Sequence, residues 1–301
     1  MAIQYWNQRK SRLETEDVYG DTYVKLLYGN PIGYALTDSF LVRKAISRAY
    51  GALQSGPRSG KKIAGFVRKF GIPMDDYAEG PFASFNDFFI RQFRPGLRPY
   101  PDDCGVMGAP AEARYLAFAH VDSPLDLPVK GMRLDPISLL GKTPGKERFR
   151  GGPCLLARLC PVDYHRYHFP DSGKVSHFHE ETGKLHSVNP LALKRNPKLF
   201  LGNERHISLL ETENFGTLAY VEVGALCVGK IVQSGASRVG AAFKRGEEKG
   251  YFLFGGSTVV VYGEPGRWLP NADLLERSAQ GLETLLELGA PVALSQRIPP
   301  A

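Results

Sequence analysis

The chain has 301 residues, 43% of them hydrophobic and 23% charged, with a formal net charge of +7; this is the composition of a soluble globular protein long enough to bury a sizeable core. No apolar run is long enough to span a bilayer, and the opening stretch MAIQYWNQRKSRLETEDVY lacks the apolar region of a signal peptide, so a cytosolic location is expected. Cys104, Cys154, Cys160 and Cys227 lack the short paired spacings of a zinc site, which predicts reduced, buried thiols and no structural metal.

In chain order, residues 21 to 70 read as helical, interrupted by turn signals at GNPIGY and QSGPRSG. The charge is concentrated there. Between Ser39 and Met74 stand eight basic residues, Arg43, Lys44, Arg48, Arg58, Lys61, Lys62, Arg68 and Lys69, and no acidic ones; taking these from +7 leaves about −1 for the rest. Ile63, Phe66, Val67 and Phe70 recur at helical spacing among them, so an apolar stripe and a basic face share one helix. Such a face is either ordinary and solvated or suited to an anionic membrane surface. No nucleic-acid motif accompanies it, so a nucleic-acid partner is not expected. In FASFNDFFIRQFRPGLRP, Ser84 is placed to cap a helix with Asp87 three residues on, and Phe85, Phe88, Phe89 and Phe93 share one face as core. Pro95, Gly96 and Pro99 end that helix and set a boundary near residue 100. From there to about 263, short Val, Leu, Phe and Tyr runs separated by Gly, Pro, Asn and Asp predict strands. A last helix is expected from an Asn271 cap through Leu274, Leu275, Leu282, Leu285 and Leu286. The expected fold class is α+β: a helical, basic, membrane-associating N-terminal part, 1–99, packed on a β-rich catalytic domain, 100–301.

The run FLFGGSTVVVY, residues 252 to 262, reads as a buried strand broken by Gly255-Gly256-Ser257. Glycine is a poor strand residue, and a pair marks either a bulge or a place where the backbone must be uncrowded. A serine hydroxyl after such a peptide is positioned to attack the preceding carbonyl, given a base and a group that stabilises the oxyanion. A candidate base lies in CPVDYHRYH, where His165 and His168 stand three residues apart beside Asp163. Alone, that spacing also suits half a metal site or a structural pair. His177 and His179 have no evident third ligand and read as surface residues.

FNDFFIRQFRPGLRP, RLCPVDYHRYHFPDSG, GKLHSVNPLAL, NERHISLLETENFGTLAYVEVGALCVGKIVQ, KRGEEKGYF and FGGST together resemble the phosphatidylserine decarboxylase family, in its bacterial branch without a transmembrane segment, from about Tyr23 to Gly289. The resemblance implies an inactive proenzyme that cleaves itself between Gly256 and Ser257, through an ester and then dehydroalanine, leaving Ser257 as a pyruvoyl group at the head of 257–301. That group replaces any external cofactor, acting as the electron sink for decarboxylation. By the same resemblance His168 is the base of self-cleavage and His165 serves decarboxylation, while His186 and Asn189 line the site and Asn203-Glu204-Arg205 is structural. A carboxylate normally orients the cleavage histidine. Here Glu112-Ala113 stands where the family has Asp-Gly, so Glu112 is expected to hold His168, and Ala113 to be strained if its φ is positive. The partners implied are an anionic membrane lipid, phosphatidylserine, the two fragments of one precursor, and a second copy in a homodimer; the location implied is peripheral, on the inner face of the membrane. Retargeting to a soluble amino acid and an unprocessed pseudoenzyme are the alternatives, the second motivated by Glu112-Ala113.

Overall fold

A computed structural model of the chain describes residues 3–16, 26–38, 42, 44–122, 125–126, 133–186, 201–225 and 230–296. Its strands are β1 (Gln4–Asn7), β2 (Arg12–Thr15), β3 (Val106–Gly108), β4 (Ala113–Phe118), β5 (Leu125–Asp126), β6 (Arg133–Leu134), β7 (Cys154–Leu159), β8 (Arg166–His168), β9 (Gly173–Glu181), β10 (Arg205–Thr212), β11 (Thr217–Gly224), β12 (Ile231–Gln233), β13 (Ala242–Phe243), β14 (Glu248–Phe252), β15 (Ser257–Gly263), β16 (Trp268–Pro270), β17 (Glu283–Leu286) and β18 (Pro291–Ser295). The helices are α1 (Pro31–Leu36), α2 (Lys44–Ser55), α3 (Ile63–Phe70), α4 (Phe85–Phe89) and α5 (Ala272–Ala279).

The valine run forms β15, buried along its whole length. Such a near-continuous apolar strand needs cover on both faces and a partner on each edge. It lies inside a ten-stranded sheet of order β13-β9-β10-β11-β15-β7-β4-β17-β1-β2, antiparallel to β11 and β7. Val259, Val260 and Val261 are each 1% exposed, and burial of a valine contributes about 1.5 kcal/mol or more. β8 and β14 pair in a separate three-stranded sheet with β12. β8, which carries His168 and directly follows His165, is thus bonded to the strand that leads into the Gly-Gly-Ser turn.

α1 to α4 precede β3 and α5 follows β16; a second core, Phe66, Ile72, Tyr77, Phe85, Phe88 and Phe89 with Tyr164, Phe254 and Leu288, joins α3 and α4 to the β-rich part. The protein is α+β, as expected. The Ser84 cap forms as read: its hydroxyl accepts from the Asp87 N–H at 3.1 Å.

Several details differ from the expectations. The N-terminal part is not helical throughout, since β1 and β2 form a hairpin whose first strand runs parallel to β17. The helix begun at Ala272 stops at Ala279; Gly281, at φ +71°, turns the chain, and Leu285 and Leu286 lie in β17. α4 ends at Phe89, before the prolines. Phe66 in the apolar stripe is 7% exposed, with its ring 4.8 to 6.0 Å from those of Phe70, Phe85 and Phe88, so the centre of that stripe faces the protein. Arg58, Lys61, Lys62, Arg68 and Lys69 are exposed. Arg43 and the side chains of Lys44 and Arg48 lie outside the described residues. Cys104 is exposed, whereas Cys154 and Cys160 are free and buried; Cys227 lies outside the described residues.

Candidate active site

Ser257 is the first residue of β15, fully buried, opposite Gly224 and Leu159. Gly255 just before it has φ +143°, a region that residues with a Cβ avoid, which accounts for one of the two glycines. The turn is pinned from outside the sheet. The Phe254 N–H donates to Asn86 Oδ1 at 2.9 Å, and Asn86 Nδ2 donates to Ser55 Oγ at 3.0 Å.

Beside Ser257 stands His165, also fully buried, with Nδ1 3.4 Å from Ser257 Oγ. Its Nε2 lies 2.8 Å from the Cys160 carbonyl. A carbonyl only accepts, so Nε2 carries the proton and Nδ1 is free to accept one from the serine. Phe89 stacks on the imidazole with ring centroids 3.9 Å apart and planes 24° apart, fixing its orientation. Burial pushes the His165 pKa down to about 3; the Cys160 carbonyl opposes this and the Arg91 charge adds to it. The ring is therefore a neutral base near pH 7.

The expected Glu112–His168–Ser257 arrangement is not the one found. His168 Nδ1 donates to the Gly246 carbonyl at 2.9 Å, and Nε2 lies 3.4 Å from the Tyr164 hydroxyl. Burial lowers its pKa, against the Gly246 carbonyl and Glu248. Glu112 Oε2 accepts from Arg98 Nε at 2.9 Å and from the Leu288 N–H at 3.4 Å. Burial raises its pKa, and Arg98, shared with Asp76 and Glu287, pulls it back. Among the described residues His165 is the basic partner of Ser257. Ala113 opens β4 opposite Leu286, and Ser11 is the non-glycine residue with positive φ among those described. Ala113 is extended and carries no such strain.

The carboxylate that does reach the base is Asp163, through a main-chain link. Its Oδ2 accepts the Cys160 N–H at 2.6 Å and Arg114 Nη1 at 2.6 Å, and Cys160 in turn offers its carbonyl to His165. Arg91 completes the turn. Only 2% exposed, it donates from Nη2 to the Val162 and Asp163 carbonyls at 3.0 and 3.2 Å, and its guanidinium lies over the rings of Tyr77 and Phe88 at 4.4 and 4.8 Å. A buried guanidinium held by carbonyls and aromatic faces is unusual. Asn86 and Arg91 were not singled out from the sequence, and Asp163 and Cys160 were noted there without this role; a lone cation inside an aromatic run, FFIRQF, was the available signal for Arg91.

His186 lies one step from the centre. Asn203 bonds the His186 N–H and carbonyl, each at 2.9 Å, and donates to the carbonyl of Gly224, the residue opposite Ser257. The His186 ring, 2% exposed, faces Asp38 at 3.2 Å. Asn189 lies outside the described residues. His177 and His179 are half-buried on β9, 3.2 Å apart, and among the described residues no three His, Cys, Asp or Glu side chains are grouped to hold a metal.

A family model described as phosphatidylserine decarboxylase matches residues 85–281. A phosphatidylserine decarboxylase proenzyme of Clostridium kluyveri is 38% identical over 294 residues, covering 97% of this chain and 99% of its own. Proenzymes of the same name from Clostridium novyi and Clostridium perfringens are 35% identical over 292 residues and 37% over 294, each covering 96% of this chain and 98% or more of theirs.

Proposed function

The chain belongs to the phosphatidylserine decarboxylase family, and from that premise we propose that it converts phosphatidylserine to phosphatidylethanolamine and carbon dioxide after cutting itself between Gly256 and Ser257. The observation that carries this reading is the 3.4 Å contact between Ser257 Oγ and the unprotonated Nδ1 of His165, directly after a glycine-only turn. Ser257 Oγ attacks the Gly256 carbonyl carbon; the C–O bond forms, the peptide C–N bond breaks, and the serine proton passes through His165 Nδ1 to the departing nitrogen of residue 257. The resulting ester eliminates the Gly256 carboxylate, and hydrolysis with loss of ammonia leaves the pyruvoyl group.

The site suits that group: the position is fully buried, away from bulk water, and faces a neutral imidazole. When present, a pyruvoyl group supplies a ketone conjugated to a carbonyl, which accepts the electron pair left as carbon dioxide departs. His165 Nδ1 then holds and returns the proton that replaces the carboxyl. Arg91 and Asp163 keep the turn carrying it in place, and Phe89 keeps its plane. This assignment gives His165 both proton-transfer tasks, in place of the division with His168 implied by the resemblance. The relatives, named proenzymes, do not favour the pseudoenzyme alternative, and Ala113 is extended and so free of the strain that partly motivated it. The relatives' names lend the soluble amino acid alternative no support.

Among the described residues no helix is long and apolar enough to cross a membrane. The exposed Arg58, Lys61, Lys62 and Arg68 support a peripheral position on an anionic surface; binding to anionic vesicles that does not weaken with salt would count against it. The central test is a denaturing gel with mass spectrometry. The parent should give fragments 1–256 and 257–301, the latter with a blocked ketone terminus, and Ser257→Ala one intact band. Normal fragments from Ser257→Ala would overturn the reading.

A further inference from the structure

A cavity of about 590 Å³ opens where the β1–β2 hairpin meets the C-terminal end of α3. Its lining includes four cations, Lys10, Arg12, Lys69 and Arg114, against one carboxylate, Glu14, with Phe70 as part of an apolar wall. Glu14 is already saturated: it accepts from Arg12 Nη2 at 2.8 Å, Lys10 Nζ at 3.0 Å, Asn7 Nδ2 at 2.8 Å and the Tyr5 hydroxyl at 3.1 Å. Burial pushes its carboxyl up, but those donors outweigh it and hold the pKa at about 2. Lys69 has no ion pair among the described residues; its ammonium stands 5.0 Å over the Phe70 ring.

Arg114 lines the back of the cavity but is committed elsewhere: it is 4% exposed, donates to Asp163 at 2.6 Å and pairs through Nε with the Glu16 carboxylate at 3.4 Å. Arg114 and Arg158 face Glu16, Asp163 and Glu283 behind the cavity, so the positive surplus lies at its mouth. A concave site with surplus guanidinium and ammonium donors beside an apolar wall matches the chemistry of a phosphate ester.

We propose that the cavity between the N-terminal hairpin and α3 is a binding site for a phosphate-bearing anion, held by Lys69, Arg12 and Lys10. Two sources share this chemistry: the headgroup of an anionic phospholipid at a membrane surface, and a soluble phosphate or phosphate monoester. The site does not depend on conversion of Ser257, so the uncut Ser257→Ala chain should bind as the processed protein does. Its failure and that of the self-cleavage reading are therefore separable.

The test titrates the full chain by calorimetry with inorganic phosphate and with sn-glycerol 3-phosphate, and by sedimentation with phosphatidylglycerol vesicles against phosphatidylcholine vesicles. Lys69→Glu leaves the hairpin's own contacts with Glu14 intact, and Lys174→Glu makes the same charge change at an exposed position on β9, outside both the cavity and the basic N-terminal face. Loss of one charged contact should weaken binding at least about fivefold in Lys69→Glu and far less in Lys174→Glu. Saturable binding of the soluble phosphates with that pattern identifies a free anion as ligand. The same pattern with vesicles alone identifies a lipid headgroup. Equal weakening by both substitutions shows a response to net charge only and overturns the proposal, as does the absence of binding to every probe.

Discussion

Replacing His165 with alanine tests the contact on which the proposed chemistry turns. The substitution removes the only described basic partner of Ser257 Oγ while leaving the Gly255 turn and its Asn86 anchor in place. A positioned general base accelerates proton transfer by about 10² to 10⁴. The His165 pKa of about 3 makes it a weak base, which places the loss near the lower end, roughly a hundredfold. The same pKa sets the pH response. Because the ring stays neutral until the pH approaches 3, self-cleavage should be level from pH 8 down to about 5 and fall only below that, as protonation removes the acceptor. The assay is a pulse of labelled synthesis in a cell-free system, then a chase at fixed pH read on a denaturing gel. Cleavage of His165→Ala within about tenfold of the parent, with His168→Ala remaining intact, would return the base to His168. A rate midpoint between pH 6 and 7 would also refute the assignment, since it would report an imidazole titrating in its ordinary range.

Glu112→Gln should lower stability by about 1 to 2 kcal/mol, because a partly buried pair with Arg98 is weakened while Asp76 and Glu287 remain, and should leave cleavage within about threefold of the parent; a hundredfold loss would put the carboxylate back in the machinery. Arg91→Met should move the acid limb of cleavage to higher pH, because a charge that disfavours protonation of His165 is gone, whereas Arg91→Lys keeps it in place. An unmoved limb in Arg91→Met leaves Arg91 a purely structural role. After cleavage, fragments 1–256 and 257–301 should co-elute in gel filtration without denaturant; separation of the two would contradict the strand order given above.

Much of the site was legible because its signals are local. A valine run broken by two glycines marks both a buried strand and the point where it is interrupted, and a serine three residues before an aspartate at the start of an aromatic run marks a cap. What was not legible depends on contacts distant in the chain. Leu282, Leu285 and Leu286 fit a helical stripe as well as they fit a strand; the left-handed turn at Gly281 and the open edge of β4 decide between them. Glu112 and Asp163 are both carboxylates near the right motifs, and spacing cannot say that Arg98 takes the first while Arg114 and the Cys160 amide take the second. Arg91 was hidden inside a motif that reads as core, because its partners Val162 and Asp163 lie more than 70 residues away.

α1 to α4 lie before residue 100 and all strands but β1 and β2 after it, yet the proposed reacting centre draws on both sides. The segment around α4 supplies the ring stacked on His165, the amide that pins Phe254 and the guanidinium that holds the histidine turn. Under the proposed cut, residues 257–301 begin with β15, seated between β7 and β11, and continue through β17, seated between β4 and β1. Every edge of those two strands is bonded to residues before 257, and the buried valines of β15 add apolar surface that separation would expose. Breaking one peptide bond at the head of a central strand therefore frees the short turn at Gly255 and Gly256 without loosening the sheet. Under the proposed cut a reactive terminus arises without the fold that positions it having to move.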